Sequence, residues 1–282
     1  MKDLKELRKE IDAVDADLLE LLKQRFDITE QIGEYKARNN QELFCPEREE
    51  EKKKALRETL SGYKNSKYLE SILCALMDCS KYQQSNNTYG TQDIYLIGMP
   101  GCGKSTIGRL LAERIQRDFT DMDVLFRTTY HITPSACIRN KGEDEFRTME
   151  SELLRNTAQK TDSISKERAA SFGGGVRSRI ISCGGGIVVK EENKEVLKTN
   201  SIVIYIKRDL DKLTSKGRPL SEQNGVEKLF SQRKEKYENF SDLTVENNGT
   251  IEECLDIIIN KIKLSSRAES KPLCGIDIKQ RI

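Results

Sequence analysis

Apolar residues recur at alternating steps of three and four over the first part of the chain. The series consists of Leu4, Leu7, Ile11, Val14, Leu18, Leu21, Ile28, Ile32 and Tyr35. This spacing predicts one helix about 48 Å long, at a rise of about 1.5 Å per residue, with a seam like that of a coiled coil. The polar run Asn39, Asn40 and Gln41 breaks the pattern, so we expect the helix to end there.

Two shorter helices are predicted after this break. Pro46 suits the first position of a second helix that runs to about Leu60, and a third helix is expected from near Ser66 to about Gln84. A unit of about 90 residues with one helix this long cannot bury its seam as a monomer. We therefore expect a homodimer with interlocked helices.

From residue 93 onward the pattern changes to short β-branched runs that alternate with helical stretches. The runs span 94–97, 180–182 and 202–206, and their alternation with helices predicts a parallel sheet flanked by helices. The uncharged polar segment 86–92 is typical of a linker. The predicted organisation is an all-α three-helix domain (1–85), the linker, an α/β domain with a parallel sheet (93–264) and a polar tail (265–282).

The composition of the chain argues against some classes of binding partner. The 282 residues are 36% hydrophobic and 33% charged with a net charge of only +2, which disfavours nucleic acid and membrane surfaces as partners. The apolar runs are far shorter than the roughly 20 residues of a membrane helix, and no signal peptide precedes the first helix. The eight cysteines lack metal-type spacing, as expected of reduced thiols in the cytoplasm.

A phosphate loop follows the first predicted strand. Residues 98–106 read GMPGCGKST and match GxxxxGK[ST], between a strand and a helical segment. In such a loop the backbone N–H groups surround phosphate oxygens, Lys104 reaches the transferable phosphate and Ser105 ligates Mg²⁺. We predict ATP and Mg²⁺ as cofactors. The ATP-binding residues would be Gly101, Cys102, Gly103, Lys104, Ser105 and Thr106; a glycine-rich turn without a ligand is the alternative.

Two carboxylates lie between the phosphate loop and the next predicted strand, 180–182. Asp121 and Asp123 are expected on the same side of an extended segment, where one could help to hold Mg²⁺ and the other could bind an acceptor hydroxyl. A solvated acidic turn explains the spacing equally well.

The segment 93–264, which carries the phosphate loop and the two carboxylates, resembles the shikimate kinases. These are small phosphate-loop kinases of the nucleoside-monophosphate-kinase type. The motifs are GMPGCGKST (98–106), DMDV (121–124), GEDEFRTME (142–150), SCGGG (182–186), GRPL (217–220) and RKEKYENFS (233–241). Six motifs in the family's order are more specific than one loop.

The resemblance implies roles for individual residues. Asp123 would bind the shikimate hydroxyls and orient or deprotonate the attacking one, and Asp121 would support Mg²⁺ through water. The resemblance also implies that Arg147 and Arg233 bind the substrate carboxylate. Gly184, Gly185 and Gly186 would lie beside the substrate. Arg218 would be a lid arginine that closes over the phosphates. Taken singly, the arginines could be surface charges and the glycines a structural turn.

Two segments depart from the family pattern. Residues 163–179 are interpreted as an insertion. The triple glycine within them, 173–175, is a second one besides 184–186 and is interpreted as a loop without a site. The segment 211–217 is short, which leaves the adenine-contacting residue unassigned. The single histidine, His131, is interpreted as an exposed loop residue.

The long first helix carries candidate anion ligands. Arg25 interrupts its seam, and residues 25, 29, 32 and 36 lie on one helical face, so Arg25 and Lys36 could hold a small dianion between them. A polar residue that sets the coiled-coil register, with a solvated Lys36, is the alternative.

The N-terminal segment, residues 4–86, resembles the all-helical chorismate mutases. The resemblance depends on LRKEID (7–12), LKQR (22–25), IGEYK (32–36), PERE (46–49) and SKYQQ (80–84). It implies that chorismate is bound by Arg8 of the partner chain, Arg25, Lys36, Arg48, Glu49, Ser80 and Gln84, with Lys36 and Gln84 on the breaking ether bond. Gln83 replaces Gln84 if the third helix is shifted by one residue. Cys45 stands where relatives commonly have a capping aspartate, so we expect reduced activity.

The two resemblances together imply an enzyme of aromatic amino-acid biosynthesis with two activities. One is ATP-dependent phosphorylation of shikimate to shikimate 3-phosphate, and the other is the rearrangement of chorismate to prephenate. In the alternative reading the helical domain only dimerises or regulates the kinase. Another small-molecule phosphate-loop kinase, acting for instance on gluconate or a nucleoside monophosphate, is a third possibility.

Overall fold

The chain folds into two compact units. The computed structural model describes residues 2–39, 41–169, 178–213 and 225–269. The first unit ends at Thr88 and the second begins at Tyr89.

The first unit consists of three helices, as predicted. They are α1 (Leu4–Arg38), α2 (Pro46–Thr59) and α3 (Ser66–Tyr89). Asp3 caps α1 through its side chain in a capping box with Glu6. Pro46 begins α2, but the side chain of Cys45 at the cap position accepts no hydrogen bond from a backbone N–H of the helix, and its Sγ instead donates to Oε2 of Glu47 at 3.4 Å. The altered cap expected from the sequence is therefore present.

Most of the apolar seam of α1 is exposed to solvent in a single chain. Exposed seam residues include Leu4, Leu7, Ile11, Val14, Leu18, Leu21, Ile28, Ile32 and Tyr35. The buried residues of α1 are Thr29 and Gly33. Ile32, a residue of the seam, is 45% exposed, whereas the adjacent Gly33 is buried.

The second unit is a five-stranded parallel sheet with helices, which confirms the predicted fold class. Its elements are β1 (Asp93–Ile97), α4 (Lys104–Arg114), β2 (Asp118–Asp121), α5 (Met122–Tyr130), α6 (Pro134–Lys141), α7 (Glu143–Ala169), β3 (Arg179–Ser182), α8 (Asn193–Lys198), β4 (Ser201–Lys207), a 3₁₀ turn (Leu210–Lys212), α9 (Val226–Phe240), β5 (Leu243–Glu246) and α10 (Ile251–Glu269).

The strand order is β2-β3-β1-β4-β5, and all neighbours are parallel. Every residue of the central strand β1 is buried. Because the strands are parallel, their carboxyl ends lie at one edge of the sheet. The phosphate loop after β1, Asp121 at the end of β2 and Gly184 after β3 therefore lie at the same edge.

Three segments differ from the prediction. The predicted linker 86–92 is helical through Tyr89, and its later carbonyl groups are not solvated, because Arg117 donates hydrogen bonds to the carbonyls of Tyr89, Gly90 and Gln92. Burial is the main cause that lowers the pKa of Arg117 to about 10. Helix α10 continues past the predicted tail boundary at 265 to Glu269.

Part of the predicted loop insertion, 163–169, belongs to helix α7. The triple glycine 173–175, the lid candidate Arg218 and the remainder of the tail from residue 270 lie outside the described residues.

Asp93 at the start of β1 links two neighbouring strands. Its Oδ1 accepts a hydrogen bond from the backbone N–H of Arg179 at 2.7 Å, and its Oδ2 pairs with the Arg179 guanidinium at 2.6 Å. The Asp93 side chain is 8% exposed. Breaking a buried ion pair leaves an uncompensated charge.

We expect Asp93→Ala to lower the free energy of unfolding by about 3 kcal/mol. Lys207→Ala removes the exposed Lys207–Glu246 pair between β4 and β5 and is expected to cost less than about 1 kcal/mol. Because the chain has no tryptophan, urea unfolding would be followed by the near-ultraviolet circular dichroism of its tyrosines. Equal midpoints for the two variants would contradict the prediction.

Candidate active sites

The phosphate loop has a backbone that favours glycine at three positions. Gly98 has φ +145°, Gly101 has φ +85° and Gly103 has φ +100°. A Cβ atom at Gly98 would overlap with the carbonyl oxygen of Ile206, and one at Gly103 would lie 2.7 Å from Nδ2 of Asn247. Gly103 directly precedes α4, so the loop presents its backbone at a helix N-terminus, which favours bound phosphate.

Lys104 lies folded over its own loop. Its Nζ donates hydrogen bonds to the carbonyl oxygens of Gly98 and Met99, each at 2.9 Å, and the residue is 7% exposed. The hydroxyl of Ser105 lies 3.3 Å from that of Ser182, so the helix after the loop contacts the first residue of the SCGGG motif.

Cys102 faces the interior and not the expected nucleotide position. It is fully buried, and its backbone N–H donates to the carbonyl of Met99. Its own carbonyl accepts a 2.8 Å hydrogen bond from the side chain of Asn247, a residue that the sequence analysis did not identify. The backbone N–H of Asn247 donates to the carbonyl of Lys207. Asn247 thus connects the phosphate loop to the end of β4.

The two acidic residues after β2 do not lie on an extended segment, so that prediction is wrong. Asp121 caps α5, because its Oδ1 accepts hydrogen bonds from the backbone N–H groups of Asp123 at 3.0 Å and Val124 at 3.2 Å. Asp123 therefore belongs to the first turn of a helix. Its pKa is raised, first by burial and then by the negative charges of Asp121 and Glu150, while Lys104 and Arg147 act in the opposite direction.

The two predicted carboxylate-binding arginines share a glutamate. Arg147 contacts Oε1 of Glu143 at 3.0 Å and Oε2 of Glu150 at 2.6 Å. Arg233, on α9, lies 3.7 Å from the same Oε1 of Glu143 and donates to the carbonyl of Gly185. The arginine side chains are only 5% and 6% exposed. The structure thus brings both guanidinium groups to one place.

The triple glycine packs against this cluster. A Cβ atom at Gly184 would overlap with Glu150 and lie 3.4 Å from Oδ1 of Asp123, and one at Gly186 would overlap with the guanidinium of Arg147. Close approach of side chains, and not a left-handed backbone, is therefore what requires glycine here. The hydroxyl of Tyr237 donates to the carbonyl of Gly185 and helps to hold the segment in place.

In the helical unit, α1 and α3 bring several predicted ligands together. Arg25 donates hydrogen bonds to the hydroxyl of Ser80 at 2.6 Å and to the carbonyl of Leu76 at 3.2 Å. One turn further along α3, Gln84 packs on Gly33, whose ideal Cβ position is 3.1 Å from Cγ of Gln84. This contact favours Gln84 over Gln83 as the residue that faces α1.

Other predicted chorismate ligands contact protein groups. Lys36 donates to the carbonyl of Leu43 at 2.7 Å. Glu49 pairs with Lys81 of α3 at 2.9 Å, which the sequence analysis did not anticipate. Arg48 lies on the exposed side of α2 and pairs with Glu51.

Arg8 is exposed on α1. Seventeen residues separate it from Arg25, which corresponds to about 26 Å along the helix. Arg8 therefore cannot join Arg25 within one chain, and only a second chain could supply it to that site.

Comparisons with known proteins agree with this geometry. The sequence model of the family "Shikimate kinase" matches residues 100–263. The chain belongs to the shikimate kinase family. Residues 7–85 match the family model "Chorismate mutase type II", so a mutase domain precedes the kinase domain.

Relatives of the shikimate kinase domain cover it almost completely. The shikimate kinase of Clostridium botulinum (strain Alaska E43 / Type E3) is 37% identical over 59% of this chain and 97% of its own length. That of Clostridium beijerinckii is 36% identical over 60% of this chain and 92% of its own length. The structure of a shikimate kinase from Acinetobacter baumannii in complex with shikimate matches with a TM-score of 0.55 and 26% identity, over 66% of this chain and 99% of that chain.

The shikimate kinase domain contains functional candidates that sequence reasoning missed. Glu143 and Glu150 lie four residues before and three residues after Arg147, a spacing that places all three on one helical face. That signal was present within the motif GEDEFRTME. Asn247 and Tyr237 gave no comparable signal, because their partners are far away in the chain.

No helix in the described ranges has the length and apolar character needed to cross a membrane. Within the same ranges, no cysteine is paired in a disulfide. His131 is exposed at the end of α5, as interpreted from the sequence.

The raised pKa of Asp123 gives the shikimate kinase domain a testable pH dependence. If Asp123 must be ionised to act, the acid limb of kcat/KM for the kinase reports its pKa. Glu150→Gln removes one of the negative charges that raise this pKa, so we expect the acid limb to move to lower pH. An unchanged limb, measured by ADP release across a pH series, would contradict this explanation.

Proposed function

We propose that the C-terminal domain transfers the terminal phosphoryl group of ATP to shikimate and forms shikimate 3-phosphate. The observation that carries this proposal is the position of Asp123, Arg147 and Arg233 around Gly184–Gly186, at the sheet edge that also carries Lys104. A carboxylate beside two clustered guanidinium groups suits a small molecule that carries both hydroxyl groups and one carboxylate. The family membership supports this choice of substrate.

The residues of this site would have separate roles in phosphoryl transfer. Arg147 and Arg233 would hold the shikimate carboxylate, which would exchange places with Glu143 on the guanidinium groups. Asp123 would accept the proton of the attacking hydroxyl, a role that its raised pKa favours near neutral pH. Lys104 would leave the carbonyls of Gly98 and Met99 to contact the phosphates.

The residues near the loop also fit Mg²⁺. The exposed hydroxyl of Ser105 in the first turn of α4 and a carboxylate at the end of β2, Asp121, are hard oxygen ligands of the kind that Mg²⁺ prefers. When bound, Mg²⁺ would neutralise charge on the transferred phosphate. Because Asp121 already uses one oxygen as a helix cap, a role through bound water suits it better than direct ligation.

We also propose that the N-terminal domain rearranges chorismate to prephenate. Arg25, Arg48 and Arg8 of a second copy would hold the two carboxylates, and Lys36 and Gln84 would donate hydrogen bonds to the ether oxygen as its bond breaks. The reaction is intramolecular, so it needs restraint of the reactive conformer and donors for developing charge, but no acid, base or nucleophile. The contact of Arg25 with Ser80 and the packing of Gln84 on Gly33 support this arrangement.

A homodimer through α1 completes this proposal. The exposed apolar seam of α1, which includes Leu18 at 49% and Leu21 at 61% exposure, is a surface that soluble monomers rarely present. A second copy would bury it and would also bring Arg8 to the site. Sedimentation of the full chain should therefore show a dimer.

A substrate panel tests the kinase proposal. We expect ATP consumption by the full chain with shikimate, and none above background with gluconate or a nucleoside monophosphate. Turnover of either of these instead of shikimate would refute it.

A separate assay of chorismate loss tests the mutase proposal. If chorismate decays no faster with the protein than without it, while chorismate or prephenate changes the kinase rate, the helical domain is a regulatory module and not an enzyme.

A further inference from the structure

A shielded ion pair joins the second and third helices of the mutase domain. Lys81 of α3 contacts Oε2 of Glu49 on α2 at 2.9 Å, and the two side chains are only 22% and 17% exposed. Lys81 also contacts Asp78 at 3.0 Å, and its Nζ lies 5.4 Å from the centre of the Phe44 ring. These contacts hold the lysine between the two helices.

The pair differs from the other ion pairs described in α1–α3. In the pairs Lys2–Glu10, Lys23–Glu20, Arg38–Glu34, Arg48–Glu51, Lys53–Glu50, Arg57–Glu70 and Lys81–Asp78, at least one side chain is more than half exposed. Exposed pairs contribute little to stability, whereas shielded pairs carry a desolvation cost that packing alone does not require. A shielded pair beside a predicted ligand-binding site therefore suggests a functional role.

The position of Lys81 on α3 places it among the proposed chorismate ligands. Ser80, the preceding residue, contacts Arg25, and Gln84 lies three residues further on the same helical face as Lys81. Lys81 uses only Oε2 of Glu49. The other oxygen, Oε1, has no hydrogen-bond partner within the part of the chain that the structure describes.

We infer that Lys81 is a positioning residue of the mutase site, which holds the Glu49 carboxylate so that its Oε1 accepts a hydrogen bond from the ring hydroxyl of chorismate. This inference rests on the proposed chorismate-binding function of the domain. It adds a cation that neither the family resemblance nor the sequence pattern assigned.

The chemistry requires a carboxylate that is held in place. A hydrogen bond is directional, and the contact of Lys81 with Oε2 of Glu49 leaves Oε1 to accept from the ligand. Burial opposes the charge on Lys81, but its hydrogen bonds to Glu49 and Asp78 outweigh burial, so its pKa is raised and it stays protonated. Lys53 of α2 also interacts electrostatically with Glu49 and Lys81.

The test compares the full-length wild type with Lys81→Met in the chorismate assay. We expect kcat/KM to fall about tenfold, with most of the loss in KM, because Glu49 would contact the ring hydroxyl and not the breaking bond. Lys81→Arg, which keeps the cation, should restore most of the activity. A purely structural link between helices would not confine the loss to KM.

Arg57→Met is the matched control, because it also removes an ion pair between α2 and α3, that of Arg57 with Glu70, but at exposed positions. It should leave kcat and KM unchanged. A Lys81→Met protein that stays folded and dimeric with the wild-type KM for chorismate would overturn the inference, as would an equal loss in Arg57→Met. If Lys81→Met does not fold, Lys81→Gln replaces it.

The proposed mutase function and the inference about Lys81 can be refuted separately. If the wild type binds chorismate without converting it, the mutase activity is refuted, and calorimetric binding of chorismate to the same variants then tests Lys81. Wild-type protein that neither converts nor binds chorismate would refute both.

Discussion

Asp123→Asn is expected to lower the kinase kcat with shikimate by about 10²–10⁴-fold, the usual contribution of a general base. The substitution keeps the size of the side chain but removes its ability to accept a proton. Asp123 lies beside Gly184 and is electrostatically coupled to Lys104 and Arg147. The loss should therefore appear in kcat more than in KM, because the amide can still contact the hydroxyl groups.

Asp144→Asn is the control for this variant, since Asp144 is exposed in the first turn of α7 and the change in charge is the same. It should leave kinase activity unchanged. Both variants should keep the wild-type near-ultraviolet circular dichroism and urea midpoint, which would show that the kinase domain is folded. Kinase activity in Asp123→Asn within threefold of wild type would exclude Asp123 as the base.

Lys36→Met is expected to lower the mutase kcat by about 10²–10³-fold, which is the usual effect of losing one hydrogen-bond donor that stabilises developing charge in a transition state. Lys36 now donates to the carbonyl of Leu43, and we expect this ammonium group to turn to the ether oxygen when chorismate binds. Methionine fills similar space but can neither donate nor carry charge. Chorismate conversion by the full chain is the measurement.

Two further variants separate charge from structure at this position. Lys36→Gln can still donate to the Leu43 carbonyl but carries no charge, so it should remain strongly impaired. Lys52→Met removes an exposed lysine from α2 and should be neutral. Full activity in Lys36→Gln would show that the charge of Lys36 does not act on the reaction.

The two predictions together test whether the domains work independently. Asp123→Asn should affect the kinase alone and Lys36→Met the mutase alone. A kinase rate that changes in Lys36→Met would instead favour the regulatory reading of the helical domain.

Local features of the sequence were sufficient for the main elements. The three-and-four periodicity predicted α1 to within a few residues of Leu4–Arg38, because a helix face depends only on residues close in the chain. The phosphate loop was recognised for the same reason, since its nine motif residues are contiguous in the sequence. The prediction failed at Asp121 and Asp123, because the end of a strand and the first turn of a helix can have the same short acidic pattern.

The sequence by itself determined that the chain has a helical unit followed by a parallel α/β unit with a phosphate loop. Only the tertiary structure decided which distant residues meet. Glu143 reaches Arg233, Lys81 reaches Glu49, and Asn247 reaches Cys102. Such contacts depend on how whole helices and strands pack, and burial then decides which charges must be paired, so residue type and spacing alone could not specify them.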